Sequence, residues 1–164
     1  MLKKTHLIFL FSSALLISFF LFFIPTSKIP ELSVTTIAGT QINLYEVKNK
    51  FTIINFWATN CPGCINEMPN LIATYNKFNK QGLEIIAVSM SYDPPNQVLD
   101  FTQKNKIPFN VVLDVDGKIA KSFKNIRLTP TSILVDKNGR IVDQIIGEID
   151  FIKLHTLLKA HLNS

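Results

Sequence analysis

Residues 51–58, "FTIINFWA", form a run of apolar and β-branched side chains interrupted only by Asn55. A run of this kind reads as a strand buried on both faces, at the centre of a sheet rather than at its edge. "LEIIAVSM", Leu83 to Met90, has the same character. Between them, residues 62–80 carry helical spacing through Ile65, Met68, Leu71, Ile72, Tyr75 and Phe78, and "KQG" closes that helix at Gly82.

The rest of the chain fills in around this pair. "LSVTTIAGTQINLYEV" predicts a small hairpin turning at Ala38-Gly39-Thr40. "PPNQVLDFTQKNK" opens a second helix on prolines, with Val98, Phe101 and Thr102 on one side. "FNVVLD" reads as a short strand and "GKIAKSFK" as a short helix. "TSILVDKNGRIVDQIIG" is a hairpin joined by Asp136-Lys137-Asn138-Gly139, and residues 150–161 form an amphipathic last helix. The predicted order is hairpin, β, α, β, α, β, α, β, β, α. It implies an α/β domain, a mixed sheet with helices on both faces.

Ahead of this domain, Leu7 to Ile24 are eighteen consecutive uncharged residues preceded by Lys3 and Lys4. As a helix they would span about 27 Å, close to the thickness of a bilayer's hydrocarbon core. Bulky Phe22, Phe23 and Ile24 at the end of the run make a poor cleavage site, and no cysteine follows to carry a lipid. We therefore expect residues 1–27 to be an uncleaved signal anchor and residues 28–164 one folded domain. Lys3 and Lys4 would remain in the cytoplasm, with the domain on the extracytoplasmic side of a single-pass bacterial cytoplasmic membrane. That side is oxidising, which bears on the cysteines. Of 17 Lys and Arg, Lys3 and Lys4 lie in the anchor, so the domain sets 15 against 12 Asp and Glu. This mild, dispersed excess lacks the dense basic stripe of a nucleic-acid binder.

The two cysteines, Cys61 and Cys64, lie in "FWATNCPGCINEMP". As a structural disulfide the pair would close too small a loop to restrict the unfolded chain much. As a zinc site it lacks ligands, because His6, His155 and His161 are all distant in sequence. A cuprous-ion carrier needs only two thiolates and remains an alternative. Redox chemistry suits the local sequence best. Pro62 fits the first helical position, which makes Cys61 the N-cap. Its sulfur can then face the free N–H groups of Gly63 and Cys64 and the positive end of the helix. Cys61 is the natural attacking sulfur, and Cys64, one turn in, the resolving one.

"NFWATNCPGC", followed by "EMP" and by the distant "TPTSILVDKNGRIV", resembles the thioredoxin fold. More narrowly, it is similar to the membrane-anchored TlpA/ResA-like thiol-disulfide oxidoreductases, which include cytochrome c maturation thioredoxins. The resemblance spans Pro30 to the C-terminus, including an N-terminal hairpin and a central insert around Ser91–Arg127. It implies that Cys61 and Cys64 are the redox pair, without metal or other cofactor. It implies that Pro130 follows a cis peptide bond in a loop facing the sulfurs, with Thr129 offering its backbone to an extended client strand. Trp57 matches the aromatic beside the active site and is expected, with Thr129 and Pro130, to bind the client, and Pro69 matches the proline that kinks the first helix.

Two departures from ordinary thioredoxin stand out. Asn55 occupies the position of a buried Asp, and an amide cannot take up and release a proton as a carboxylate does. Glu67 matches an acid that the ResA-like branch places near its cysteines, and we expect it to replace that Asp in shuttling the proton of Cys64. The second is Asn60, in a slot that is often bulky. Taken together, these features predict a monomeric, membrane-tethered protein-disulfide reductase. Its clients would carry disulfides, as apocytochrome c does, and a membrane electron donor would re-reduce it. A thiol oxidant or peroxide reductase of the same fold, and a copper-delivery protein, are the competing readings. Gly63 stands where oxidising relatives keep a His, which favours the reductant.

Overall fold

The computed structural model describes residues 28–44 and 49–162. The predicted anchor, 1–27, lies outside the described residues. Among those described, no helix is long and apolar enough to cross a membrane.

A five-stranded sheet has β3 (Phe51–Trp57) at its centre, in the order β5-β4-β3-β6-β7. β4 (Leu83–Ser89) runs parallel to β3, and β5 (Asn110–Leu113) parallel to β4. β6 (Thr131–Val135) and β7 (Ile141–Ile146) return antiparallel on the other side. Every residue of β3 and β4 is buried, as expected of runs without polar alternation. The small hairpin of β1 (Ser33–Thr35) and β2 (Gln41–Asn43) attaches at the β5 edge, where Thr36 bridges Val112 and Ile37 N–H donates to Val111 O at 2.9 Å.

Alternation along β3 sorts the rest of the chain. Phe51, Ile53 and Trp57 face the core formed with α1 (Pro62–Phe78), α2 (Pro95–Lys104) and α4 (Phe151–Leu162). Ile54 and Phe56 face the opposite core, with α3 (Lys118–Ser122) and the N-terminal hairpin. The predicted element order and the mixed sheet covered on both faces are thus present. The central segment between β4 and β6 holds α2, β5 and α3.

The first helix departs from its predicted end. Regular α-helix stops at Phe78, and a 3-10 turn over Asn79–Gln81 carries the chain to Gly82. Gly82 adopts φ +101°, which lets the chain reverse directly into β4. A β-carbon there would have room, its nearest neighbour being Leu162 Cδ2 at 3.8 Å. The cost of Gly82→Ala is therefore backbone strain alone. We expect about 1–2 kcal/mol of lost stability, read as a lower urea midpoint at unchanged slope.

Candidate functional site

The register of the sheet brings distant segments to one end. Thr131 pairs with Phe56, so Pro130 lies level with Trp57, where β3 gives way to the Ala58–Cys61 turn. β4 ends at the same edge, with Met90 N–H donating to Trp57 O at 3.0 Å. The carboxyl ends of the parallel strands, where α/β sheets commonly carry their sites, thus meet the start of β6.

Cys61 is the N-cap of α1, in extended conformation, with Pro62 opening the helix. Its Sγ accepts a hydrogen bond from the N–H of Cys64 at 3.2 Å. Of the two N–H donors expected, Cys64 supplies the one present. In the structure the two sulfurs are joined as a disulfide. Cys61 is partly exposed and Cys64 fully buried, the asymmetry required of an attacking and a resolving sulfur. The turn before Cys61 is held by Asp93, whose carboxylate accepts from Thr59 N–H at 2.7 Å and from the Thr59 hydroxyl.

Glu67 is on the inner face of α1 and only 2% exposed. Its Oε1 accepts from Asn55 Nδ2 at 2.9 Å, and its Oε2 from the N–H of Ile149 at 3.1 Å. The two positions singled out as departures from thioredoxin are therefore directly bonded. Asn55 Nδ2 also donates to Ser132 Oγ at 3.0 Å, while Asn55 Oδ1 is buried without a partner among the described residues. Burial pushes the Glu67 carboxyl up from its ordinary 4.5, with the negative charge of Glu148 adding to the rise; the Ile149 and Asn55 hydrogen bonds oppose it.

The Thr129–Pro130 peptide bond is cis. Pro130 is buried and Thr129 half-buried, its hydroxyl 3.2 Å from that of Tyr92. Gly147 N–H donates to Pro130 O at 2.8 Å, fixing the loop to the end of β7. Exposed apolar side chains flank it: Leu128 (62%), Ile146 (61%) and Tyr92 (53%). Trp57 requires a correction. It is fully buried, packed against Phe101 with ring centroids 5.2 Å apart, so no client could touch its side chain in this structure. Its place is beneath the site, as support. Pro69 lies inside α1, as the sequence placed it.

Sequence reasoning missed Asp93, Ser132 and Ile149. Each acts through a tertiary hydrogen bond spanning 34 to 82 residues, and only the acid before two prolines in "SYDPP" offered any local hint. No group of three or more His, Cys, Asp or Glu able to hold a metal occurs among the described residues.

A model of the AhpC/TSA family matches residues 25–144. A thiol-disulfide oxidoreductase ResA of Bacillus thuringiensis is 36% identical over 130 residues, covering 79% of this chain and 74% of that protein. A ResA of Geobacillus kaustophilus is 32% identical over 121 residues, covering 74% and 68%. Among solved structures, StoA from Bacillus subtilis aligns with a TM-score of 0.68 at 30% identity, over 80% of this chain and 98% of that one. A solution structure from Neisseria meningitidis aligns with a TM-score of 0.78 at 32% identity, over 84% and 92%.

The raised Glu67 pKa has a consequence for stability. The fold favours the protonated acid, so its contribution is complete below pH 4.5 and is lost as pH rises through the higher folded value. Glu67→Gln removes the titration. Wild type should lose stability relative to this variant as pH increases above 4.5, with a slope of at most about 1.4 kcal/mol per pH unit. Urea unfolding of both proteins across pH 4–8 measures it.

Proposed function

We propose that this chain, which belongs to the AhpC/TSA family and is a thiol-disulfide oxidoreductase with a Cys61/Cys64 pair, works as a membrane-tethered reductant on the extracytoplasmic side. The Cys61 thiolate attacks a client disulfide and forms a mixed disulfide, releasing one client sulfur as thiolate. Cys64 then gives up its proton and attacks Cys61 Sγ. The client leaves with both sulfurs reduced, and Cys61–Cys64 remains oxidised. Two electrons and two protons, the electrons from a membrane donor, restore the dithiol.

The observation that carries this reading is the pairing of a buried Cys64 with a buried acid on the same face of α1. A deeply placed thiol can resolve a mixed disulfide only if something takes its proton, and Glu67 is a carboxyl whose affinity for protons has been raised. The direction rests on Gly63. With no side chain between Pro62 and Cys64, no imidazolium can stand there to stabilise the thiolate, and a less stabilised thiolate leaves the disulfide form favoured.

The client would lie along the cis-proline loop, its backbone against Thr129 and its apolar side chains against Leu128, Ile146 and Tyr92. Apocytochrome c is the client that the ResA-like resemblance implies. The eighteen-residue apolar run supplies the tether.

Equilibration of the full chain in detergent with glutathione or dithiothreitol buffers tests the direction. A potential near or below about −220 mV supports a reductant, whereas one near −120 mV reverses the assignment to a thiol oxidant. Cys64→Ser should accumulate a mixed disulfide with client through Cys61, while Cys61→Ser should accumulate none. Non-reducing gels of membranes from cells producing each variant read this out.

A further inference from the structure

Glu148, in the link between β7 and α4, is held over the active-site turn. Its neighbours are pinned on both sides. Gly147 N–H bonds to the carbonyl of Pro130, and Ile149 N–H to the buried carboxylate of Glu67. Asp150, next along, accepts from the N–H groups of Ile152 and Lys153 and fixes the start of α4. The backbone around Glu148 is therefore tied to the cis-proline loop, to α1 and to α4 at once.

Its side chain lies against Gly63. A β-carbon on residue 63 would sit 3.1 Å from Glu148 Oε1 and 3.3 Å from its Cγ. These are tighter than ordinary contacts, so the carboxylate occupies the space that a side chain between the two cysteines would take. Gly63 is in the first turn of α1, next to the N–H that faces Cys61 Sγ, where the helix dipole favours negative charge.

We propose that Glu148 is a positioning residue that tunes the redox pair, placing from across the fold a negative charge in the slot between the cysteines and so disfavouring the Cys61 thiolate. A thiolate and a carboxylate at one helix end compete for the same dipole and repel each other. Destabilising the thiolate destabilises the dithiol state relative to the disulfide, which makes the protein a stronger reductant. Glu148 also adds to the rise in the Glu67 proton affinity, the direction expected of a like charge nearby. With Glu148, the charged groups Asp143 on β7, Asp150 just before α4 and Lys153 on α4 line a cavity of about 250 Å³. Lys153 pairs with Asp150 at 3.5 Å, so the local balance stays negative.

The proposal deepens the reductant reading and rests on the same pair, but its test is a difference between variants. The full chain and its Glu148→Gln and Glu148→Lys variants are equilibrated with glutathione, and Cys61 alkylation by iodoacetamide is followed against pH. Glu148→Gln should favour the dithiol by about three- to tenfold, with Cys61 alkylation reaching its half-maximum at lower pH. Glu148→Lys should move both further the same way, and both differences should shrink in high salt. Gly63→Ala, which must displace the carboxylate, should favour the dithiol in wild type and change little in the Glu148→Gln background. Because Glu148 is exposed, these variants should fold; matching thermal melts establish that they have. Equal equilibrium constants and equal alkylation profiles across the Glu148 series would overturn the proposal. A salt-independent shift would also overturn it, marking a packing effect. A wild-type potential near −120 mV would sink the reductant reading while leaving these differences to decide the role of Glu148.

Discussion

A single buried carboxylate ties three parts of the fold to one another. Glu67 projects from α1, accepts from Asn55 on β3, and accepts again from the backbone where β7 passes into α4. Asn55 in turn reaches Ser132 on the neighbouring strand. Each bond satisfies a polar atom that would otherwise be stranded in the core. Together they set how deeply the active-site helix lies on the sheet, and hence where Cys64 sits beneath Cys61. An acid so enclosed holds its proton more tightly than one in water. In the proposed function the same residue takes the proton of Cys64, so structural and chemical roles would converge on it because both need a carboxyl out of water.

Much of this was legible in the sequence because it depends on local pattern. The buried runs at 51–57 and 83–89, the helical spacing between them and the turn at Asp136-Lys137-Asn138-Gly139 identify their elements without outside information. Cys61 as a helix cap follows from Pro62 one residue later. What stayed hidden depends on contacts between residues far apart in the chain. That Asn55 and Glu67 are bonded, rather than merely both unusual, is decided by how α1 lies on β3. Asp93 looks like a loop acid until β4 and β3 are seen to end together. Trp57 was misjudged because an aromatic at the end of a strand can point either outward or inward. The alternation of β3, in register with Phe51 and Ile53, settles that it points into the core.

The same register explains why the Cys61 sulfur is accessible at all. Strand β3 is buried along its whole length, and only where it ends can the chain reach the surface. The Ala58–Cys61 turn rises there, held on one side by Asp93 and bounded on the other by the cis-proline loop. The Cys61 sulfur is thus displayed by elements that are themselves fixed, so in the proposed function little ordering would be left to be done on meeting a client.

The burial of Trp57 places the chain's one indole in the same core as the resolving cysteine. It is the only tryptophan in the chain, fully enclosed, and part of the same apolar cluster as Cys64. Its indole N–H has no hydrogen-bond partner among the described residues. A change between disulfide and dithiol at Cys64 therefore takes place inside the same enclosed cluster as the one indole, so tryptophan emission is the unlabelled signal placed to follow it.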